Sequence, residues 1–222
     1  MNTPVTTHTH GGQLPRRRIP VRWVAVALAA VLLAAIGFST HYRSVESVAA
    51  SGNRFDPAAF GARAYQSEVV PAIKRKAVEL PVLVKAMTAD KRAADRRYGI
   101  RHGNGPYGFA VKGTGRAGMA KSGLMPVTVP GLPPGTRVSL QVGPAVNGTA
   151  LRDVAGIGFR RFRNQAEYAA AATALNNQLW EKLLRNLYPA RLNGRRISFI
   201  GAFNFLTPSV VTITPVSIKE VS

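Results

Sequence analysis

Residues Gly143 to Asn176 read GPAVNGTALRDVAGIGFRRFRNQAEYAAAATALN. The stretch opens on a Gly143-Pro144 turn, turns again at Asn147-Gly148-Thr149 and passes through the short apolar piece Ile157 to Phe159. It then enters a long helix near Asn164. Asn164 is a good acceptor for the first unpaired amides, and Glu167 stands three residues on, as in a capping box. Tyr168, Ala171, Ala172, Leu175, Leu179, Leu183 and Leu187 recur on one face as a single apolar stripe. Pro189 is expected to close the helix, and Asn193-Gly194 to turn the chain.

Strand signals lie on both sides of this helix. Before it, Arg137 to Val142 alternates, with Val138, Leu140 and Val142 on one face and Arg137, Ser139 and Gln141 on the other. Val127 to Val129 and Tyr107 to Val111 are two further short strands among closely spaced turn residues. After it, Ile197, Phe199, Phe203 and Phe205 alternate in RRISFIGAFNF. Val210 to Ile218 is rich in β-branched residues, and Pro215 there marks an edge or a bulge. Upstream, Asp56-Pro57 starts a helical pattern that Pro71 should kink or split. Leu80-Pro81 begins a second piece and Asp90 a third.

The expected fold class is therefore α+β. An N-terminal transmembrane helix and a short helical segment precede an OB-like antiparallel β-barrel, with one long helix between strands 3 and 4.

Composition narrows the rest. The chain has 222 residues, of which 46% are apolar, enough for one core and a targeting segment. It has no cysteine, which removes disulfides, thiolate metal sites and a cysteine nucleophile. Lys and Arg number 30 against 10 Asp and Glu. Only Arg16, Arg17, Arg18 and Arg22 precede the main apolar run and all ten acids follow it, so the remainder carries +16. Such a surface suits lipid headgroups, anionic envelope polymers or an acidic protein.

That run, Trp23 to Phe38, reads WVAVALAAVLLAAIGF. With its flanks it reaches the roughly 20 residues that a spanning helix needs. Arginines cluster before it, which places the N-terminus in the cytoplasm of a bacterial cell and the bulk of the chain in the periplasm. The expected divisions are a basic cytoplasmic tail (1–20), an anchor in the inner membrane (21–42), a tether (43–55) and a periplasmic domain (56–222). The rival is a cleavable signal peptide, with Val48-Ala49-Ala50 as a cleavage site far from the apolar core.

Catalytic and cofactor signals are weak. Gly113-Thr114-Gly115-Arg116-Ala117-Gly118 matches GxGxxG, but no acid lies between 119 and 152, and the segment reads as a flexible turn rather than a dinucleotide site. His8 and His10 in the tail make no metal site, and His102 is the only histidine beyond the tether. Asp153 and Glu167 would serve glycoside hydrolysis only if the fold set them face to face. The expectation is no enzyme, no cofactor and no metal. The plainer roles of these acids are Asp153 paired with Arg152 or a nearby backbone amide, and Glu167 as a cap.

A binding surface is better supported. Arg160-Arg161-Phe162-Arg163 sets an aromatic ring among guanidinium groups, with Phe159 and Phe162 expected to enter the core while the arginines stay in water. Arg152, Asp153, Asn164 and Gln165 offer forked or amide groups suited to hydroxyl-rich ligands. Asn176 lies three turns beyond Asn164 and reads as a buried amide bonded to backbone. The candidate ligand- or partner-binding residues are Arg152, Asp153, Arg160, Arg161, Arg163, Asn164 and Gln165. Export argues against a nucleic-acid partner. Replacing Arg152 and Asp153 by alanine is expected to leave the fold intact and to impair sugar-dependent growth.

The segments GPAVNGTALRD, FRRFRNQAEYAAAATALN and GRRISFIGAFNF…ITPVSI resemble the DUF2291 family of predicted periplasmic lipoproteins. FDPAAF, EVVPAIKRKAVELPVLVKA and RRYGIRHGNGPYGFAVKGTGRA extend the resemblance over about residues 54–219. The resemblance implies an exported, membrane-tethered protein of no established activity, often in sugar-uptake gene settings. Its implied partners are components of a carbohydrate ABC uptake system. This chain departs from the family in having no cysteine to carry a lipid, so Trp23 to Phe38 must supply the tether.

Overall fold

The β-branched and aromatic runs flanking the long helix pair at long range and close on themselves. In the computed structural model, residues 54–103, 105–205, 207 and 209–221 are described. The expected tail, anchor and all but the last two residues of the tether lie outside the described residues. Among the described residues, no helix is long and apolar enough to cross a membrane.

Asp56 accepts from the Ala59 amide and starts α1 (Pro57–Ala64), which runs through a π turn (Tyr65–Val69) into α2 (Val70–Lys76). The wider hydrogen-bonding of the π turn accommodates Pro71, which has no amide hydrogen, so the expected break becomes a bulge in a continuous helix. A two-residue strand, β1 (Val78–Glu79), leads to α3 (Leu80–Ala89) and α4 (Lys91–Tyr98).

The barrel strands are β2 (Gly108–Ala117), β3 (Leu124–Thr128) and β4 (Arg137–Gln141), then β5 (Arg196–Asn204) and β6 (Val210–Glu220). Between β4 and β5 lie α5 (Ala150–Ala155), a 3₁₀ turn (Phe159–Arg161), α6 (Gln165–Leu179) with a π turn (Trp180–Leu184), and α7 (Pro189–Leu192). The pairing β2-β3-β4-β6-β5-β2 forms a closed five-stranded ring. Four of its contacts are antiparallel, but β4 and β6 run parallel, so the barrel is mixed rather than wholly antiparallel. A ring with an odd number of strands cannot reverse direction at every contact, so closure on five requires a parallel seam.

Three local expectations change. The glycine-rich GxGxxG segment is strand, not turn, up to Ala117. A Cβ on Gly113 would lie 2.9 Å from the Phe199 ring and one on Gly115 2.5 Å from the Thr128 carbonyl oxygen, so glycine lets β2 pass tightly between its neighbours. Pro189 opens α7 instead of closing the long helix, which ends earlier through its π turn. Pro215 does sit at a bulge: Ile200 pairs with Ser217 and Gly201 with Pro215, leaving Val216 extra.

Two apolar layers result. Phe109, Val111, Met125, Leu140, Ile197, Phe199 and Ile213 fill the barrel, and Leu80, Leu83, Val84 and Met87 of α3 join them. The second layer lies outside the wall, where Ala110, Ala202 and Val216 meet Tyr65, Ile73, Leu151, Val154, Leu175 and Leu179 of the helices. Burial pushes the Tyr65 phenol upward. The outer halves of β2 and β5 are thus covered by helices at one end and open to water at the other.

Candidate functional site

The loop after β4 is fixed before α5 begins. Asn176 donates its side-chain amide to the carbonyls of Val146 (3.3 Å) and Gly148 (2.9 Å), the backbone role expected for it. Gln141 accepts from the Asn147 amide at 3.0 Å. α5 can therefore start at Ala150 without a side-chain cap and stop at Gly156, whose φ of 94° is one that glycine adopts freely.

Arg152 and Asp153 on α5 form a buried knot. Arg152 donates from Nε and Nη2 to Asp153 Oδ1, at 2.9 and 2.8 Å, and from Nη1 to the Tyr168 carbonyl at 2.8 Å. Its guanidinium carbon lies 3.4 Å from the centre of the Tyr168 ring. Asp153 Oδ2 accepts from Thr149 at 2.6 Å and from Asn204 at 3.3 Å, and Oδ1 also accepts from the Tyr168 hydroxyl at 3.4 Å. Burial pushes the Tyr168 phenol up, with the Arg152 charge opposing the shift and the Asp153 charge adding to it. Lys76 donates to the Val154 carbonyl at 3.1 Å, and burial holds its ammonium below the usual lysine range.

The chain then rises to a lip. Phe162 is buried against Phe55, Phe60 and Tyr168, with ring centres 5.3 to 5.5 Å apart. Phe159, expected in the core, is instead 40% exposed and meets Tyr168 edge-on at 5.6 Å. Phe162 leaves the 3₁₀ turn with extended backbone and fills the aromatic cluster, while Phe159, at the start of the turn, packs on the outer side of Tyr168. Arg161 donates to both carboxylate oxygens of Glu68, at 2.7 and 3.2 Å. That hydrogen bond lowers the Glu68 carboxyl and raises the Arg161 guanidinium, with burial opposing both shifts.

Knot and lip enclose a cleft of about 850 Å³. Arg152, Asp153, Arg160, Arg161 and Gln165 of the candidate set line it. Asn164 and Arg163 do not line it: Asn164 caps α6 by accepting from the Glu167 amide at 2.9 Å, and Glu167 accepts from the Arg163 amide at 3.0 Å. Glu167 thus reaches one residue further back than a standard capping box requires. Asp153 and Glu167 are both engaged in these internal contacts.

The structure adds residues that the sequence did not mark for the site. His102, Thr149, Phe159 and Tyr168 line the cleft, and His102 Nε2 lies 3.2 Å from the Asp153 carbonyl oxygen. Asn204, at the end of β5, anchors the knot from the barrel side. The solitary His102 in a glycine-rich loop was the one available signal; Asn204 had none.

The knot also reverses one expectation. Arg152 is only 6% exposed, and its contacts tie α5 to α6, so alanine at 152 and 153 would remove part of the architecture together with any ligand contact.

A profile of the DUF2291 family, described as predicted periplasmic lipoprotein, matches residues 26–219. No curated protein matches the chain. Among solved structures, the chain is similar to an OB-fold protein from Thermotoga maritima, with a TM-score of 0.61 and 15% identity, over 76% of this chain and 100% of that one. At that identity the likeness bears on the fold alone.

Proposed function

The chain belongs to the DUF2291 family of predicted periplasmic lipoproteins, and from that premise we propose that it is a membrane-anchored periplasmic binding protein, accessory to a carbohydrate uptake system. The cleft between α5, the Phe159–Arg161 turn and α6 receives its ligand or a loop of its partner. Lacking cysteine, the chain is held by Trp23 to Phe38 as a single-pass inner-membrane anchor with the N-terminus in the cytoplasm.

One observation carries the reading: the lip presents groups that the fold does not use. Phe159 is half-open beside Arg160, which has no ion-pair partner among the described residues, and Gln165 lines the same space. An aromatic face next to forked donors and an amide suits a hydroxyl-rich ligand or a carboxylate-bearing loop. The buried knot beneath holds this lip at a fixed height.

Mild cross-linking in intact cells, followed by purification from membranes, tests the proposal. A permease or a substrate-binding subunit should co-purify, and Phe159→Ala with Arg160→Gln should abolish the cross-link while leaving the protein folded and membrane-bound. Recovery of the protein alone, or with cell-wall material, would overturn the uptake assignment. Release from membranes by alkaline carbonate would overturn the anchor.

A further inference from the structure

The outer wall of β2, β5 and β6 is paved by polar side chains that are little used by the fold: Arg116 donates to the Gly194 carbonyl at 2.8 Å and Lys112 meets an exposed carboxylate, Glu79. Register places them in rows across adjacent strands. Arg116 pairs with Arg196; Thr114 pairs with Ser198, which pairs with Lys219; Lys112 pairs with Ile200, which pairs with Ser217. The alternation of each strand turns these positions outward, while Gly113, Gly115, Ile197, Phe199 and Ile218 face in. Rows two residues apart are separated by about 7 Å and strands by about 4.8 Å. Cations therefore stand at both ends of a stretch about 14 Å long, with Thr114, Ser198 and Lys219 in the row between them and Ser217 in the Lys112 row.

The wall is concave where Lys74 of α2 overhangs it. Lys74, Lys112, Thr114, Ser198, Ser217 and Lys219 line a cleft of about 430 Å³ there. Among the described residues, Glu79 is the one carboxylate in this cleft, 3.5 Å from Lys112, with both side chains about half exposed (55% and 48%). A pair so exposed contributes little and yields to a competing anion. Lys74 and Lys219 have no ion-pair partner among the described residues.

We infer that this wall is a second binding site, separate from the Arg152 cleft, and that it takes an extended anionic polysaccharide. The lysines and arginines meet its carboxylate or phosphate substituents, and Thr114, Ser198 and Ser217 meet its hydroxyls. The alternative anionic partner, a bilayer surface, fits worse. Exposed large apolar side chains such as Val82, Met119, Phe159 and Tyr188 do not line the wall; among its described residues only Val221 at its Arg196 end and the half-buried Ile200 are apolar, too little surface to insert among acyl chains.

The test uses the full-length protein in detergent, with polygalacturonate, neutral dextran and phosphatidylglycerol vesicles as probes. Binding to polygalacturonate should exceed binding to dextran and fall steeply with salt. Lys112→Gln with Lys219→Gln should weaken it about tenfold at low salt, the scale of two lost exposed ion pairs. Arg92→Gln with Arg96→Gln on α4 removes equal charge and should leave it within about twofold, as expected of screened, distant charges. Ser198→Ala should weaken it further without altering net charge, and Phe159→Ala should have no effect. Equal losses in the two charge pairs would reduce the binding to bulk charge and overturn the site. Retention of vesicles in place of polygalacturonate would overturn the polysaccharide. Failure of the cleft reading leaves these outcomes untouched, because Phe159 does not line the wall and serves only as its control.

Discussion

Two arginine–carboxylate pairs border the same cleft, and they are put to opposite use. At the floor, Arg152 and Asp153 have side chains 8% and 14% exposed; at the lip, Arg161 and Glu68 are 46% and 45% exposed. The floor pair sits where water cannot replace lost hydration, so it is tolerated only because its oxygens and most of its donors find partners: Thr149, Asn204 and Tyr168 besides each other. The lip pair is bidentate but solitary, and solvent screens it. The contrast teaches which charges the architecture needs. Those at the floor join α5, α6 and β5, and those at the lip stand in water and, under the proposed function, are open to exchange with a ligand.

The sharpest way to break that contrast is at the floor. Arg152→Ala leaves Asp153 buried beside hydroxyl and amide partners with no cation, and should cost about 3–5 kcal/mol of stability. Denaturant unfolding would measure it, and a loss below about 1 kcal/mol would make the floor no different from a surface pair. Arg152→Lys sharpens the same point. It keeps the charge but cannot bridge Asp153 and the Tyr168 carbonyl or lie flat on the ring, so much of the loss should remain. Next in size is Asn176→Ala, which strands the carbonyls of Val146 and Gly148 and should cost about 1–2 kcal/mol. Faster amide exchange at Asn147 to Thr149 would show that the loop beneath the knot has loosened.

The floor and the lip were not equally legible. Arg160, Arg161 and Gln165 fall within six residues of one another next to a capped helix, so sequence proximity alone gathers them. Arg152 and Asp153 were visible as residues, but their burial was not, because it depends on Tyr168 sixteen positions on and on Asn204 fifty-one positions on. His102 reaches the cleft from the other side, across fifty-one positions. The same division holds for the fold. Period-2 runs such as Arg137 to Val142 announced their strands locally. The β2–β5 pairing that closes the barrel, and the parallel β4–β6 seam, follow from where distant strands meet and leave no mark on either strand alone. The glycines of β2 read as a turn for a related reason: glycine weakens a strand in isolation, and only Phe199 and Thr128 pressing against it explain why it stands there.

The smallest expected effect lies at the lip and carries its own pH signature. The hydrogen bond from Arg161 holds the Glu68 carboxyl below its usual range, so the folded state binds that proton less readily than the unfolded chain. The pair's contribution is complete above the ordinary glutamate value, about pH 4.3, and disappears as pH falls through the lower folded value. Since both side chains are nearly half exposed, that contribution is under about 1 kcal/mol at low salt and less in 1 M salt. Glu68→Gln should therefore differ from the parent by a small shift in denaturant midpoint at pH 7, and the difference should shrink on acidification and with added salt. A difference that persisted unchanged in acid, or that matched Arg152→Ala in size, would mean that the Phe159–Arg161 turn is held by more than this pair. The lip would then be as much a part of the architecture as the floor, and Phe159 and Arg160 would lose their standing as groups free to meet a ligand.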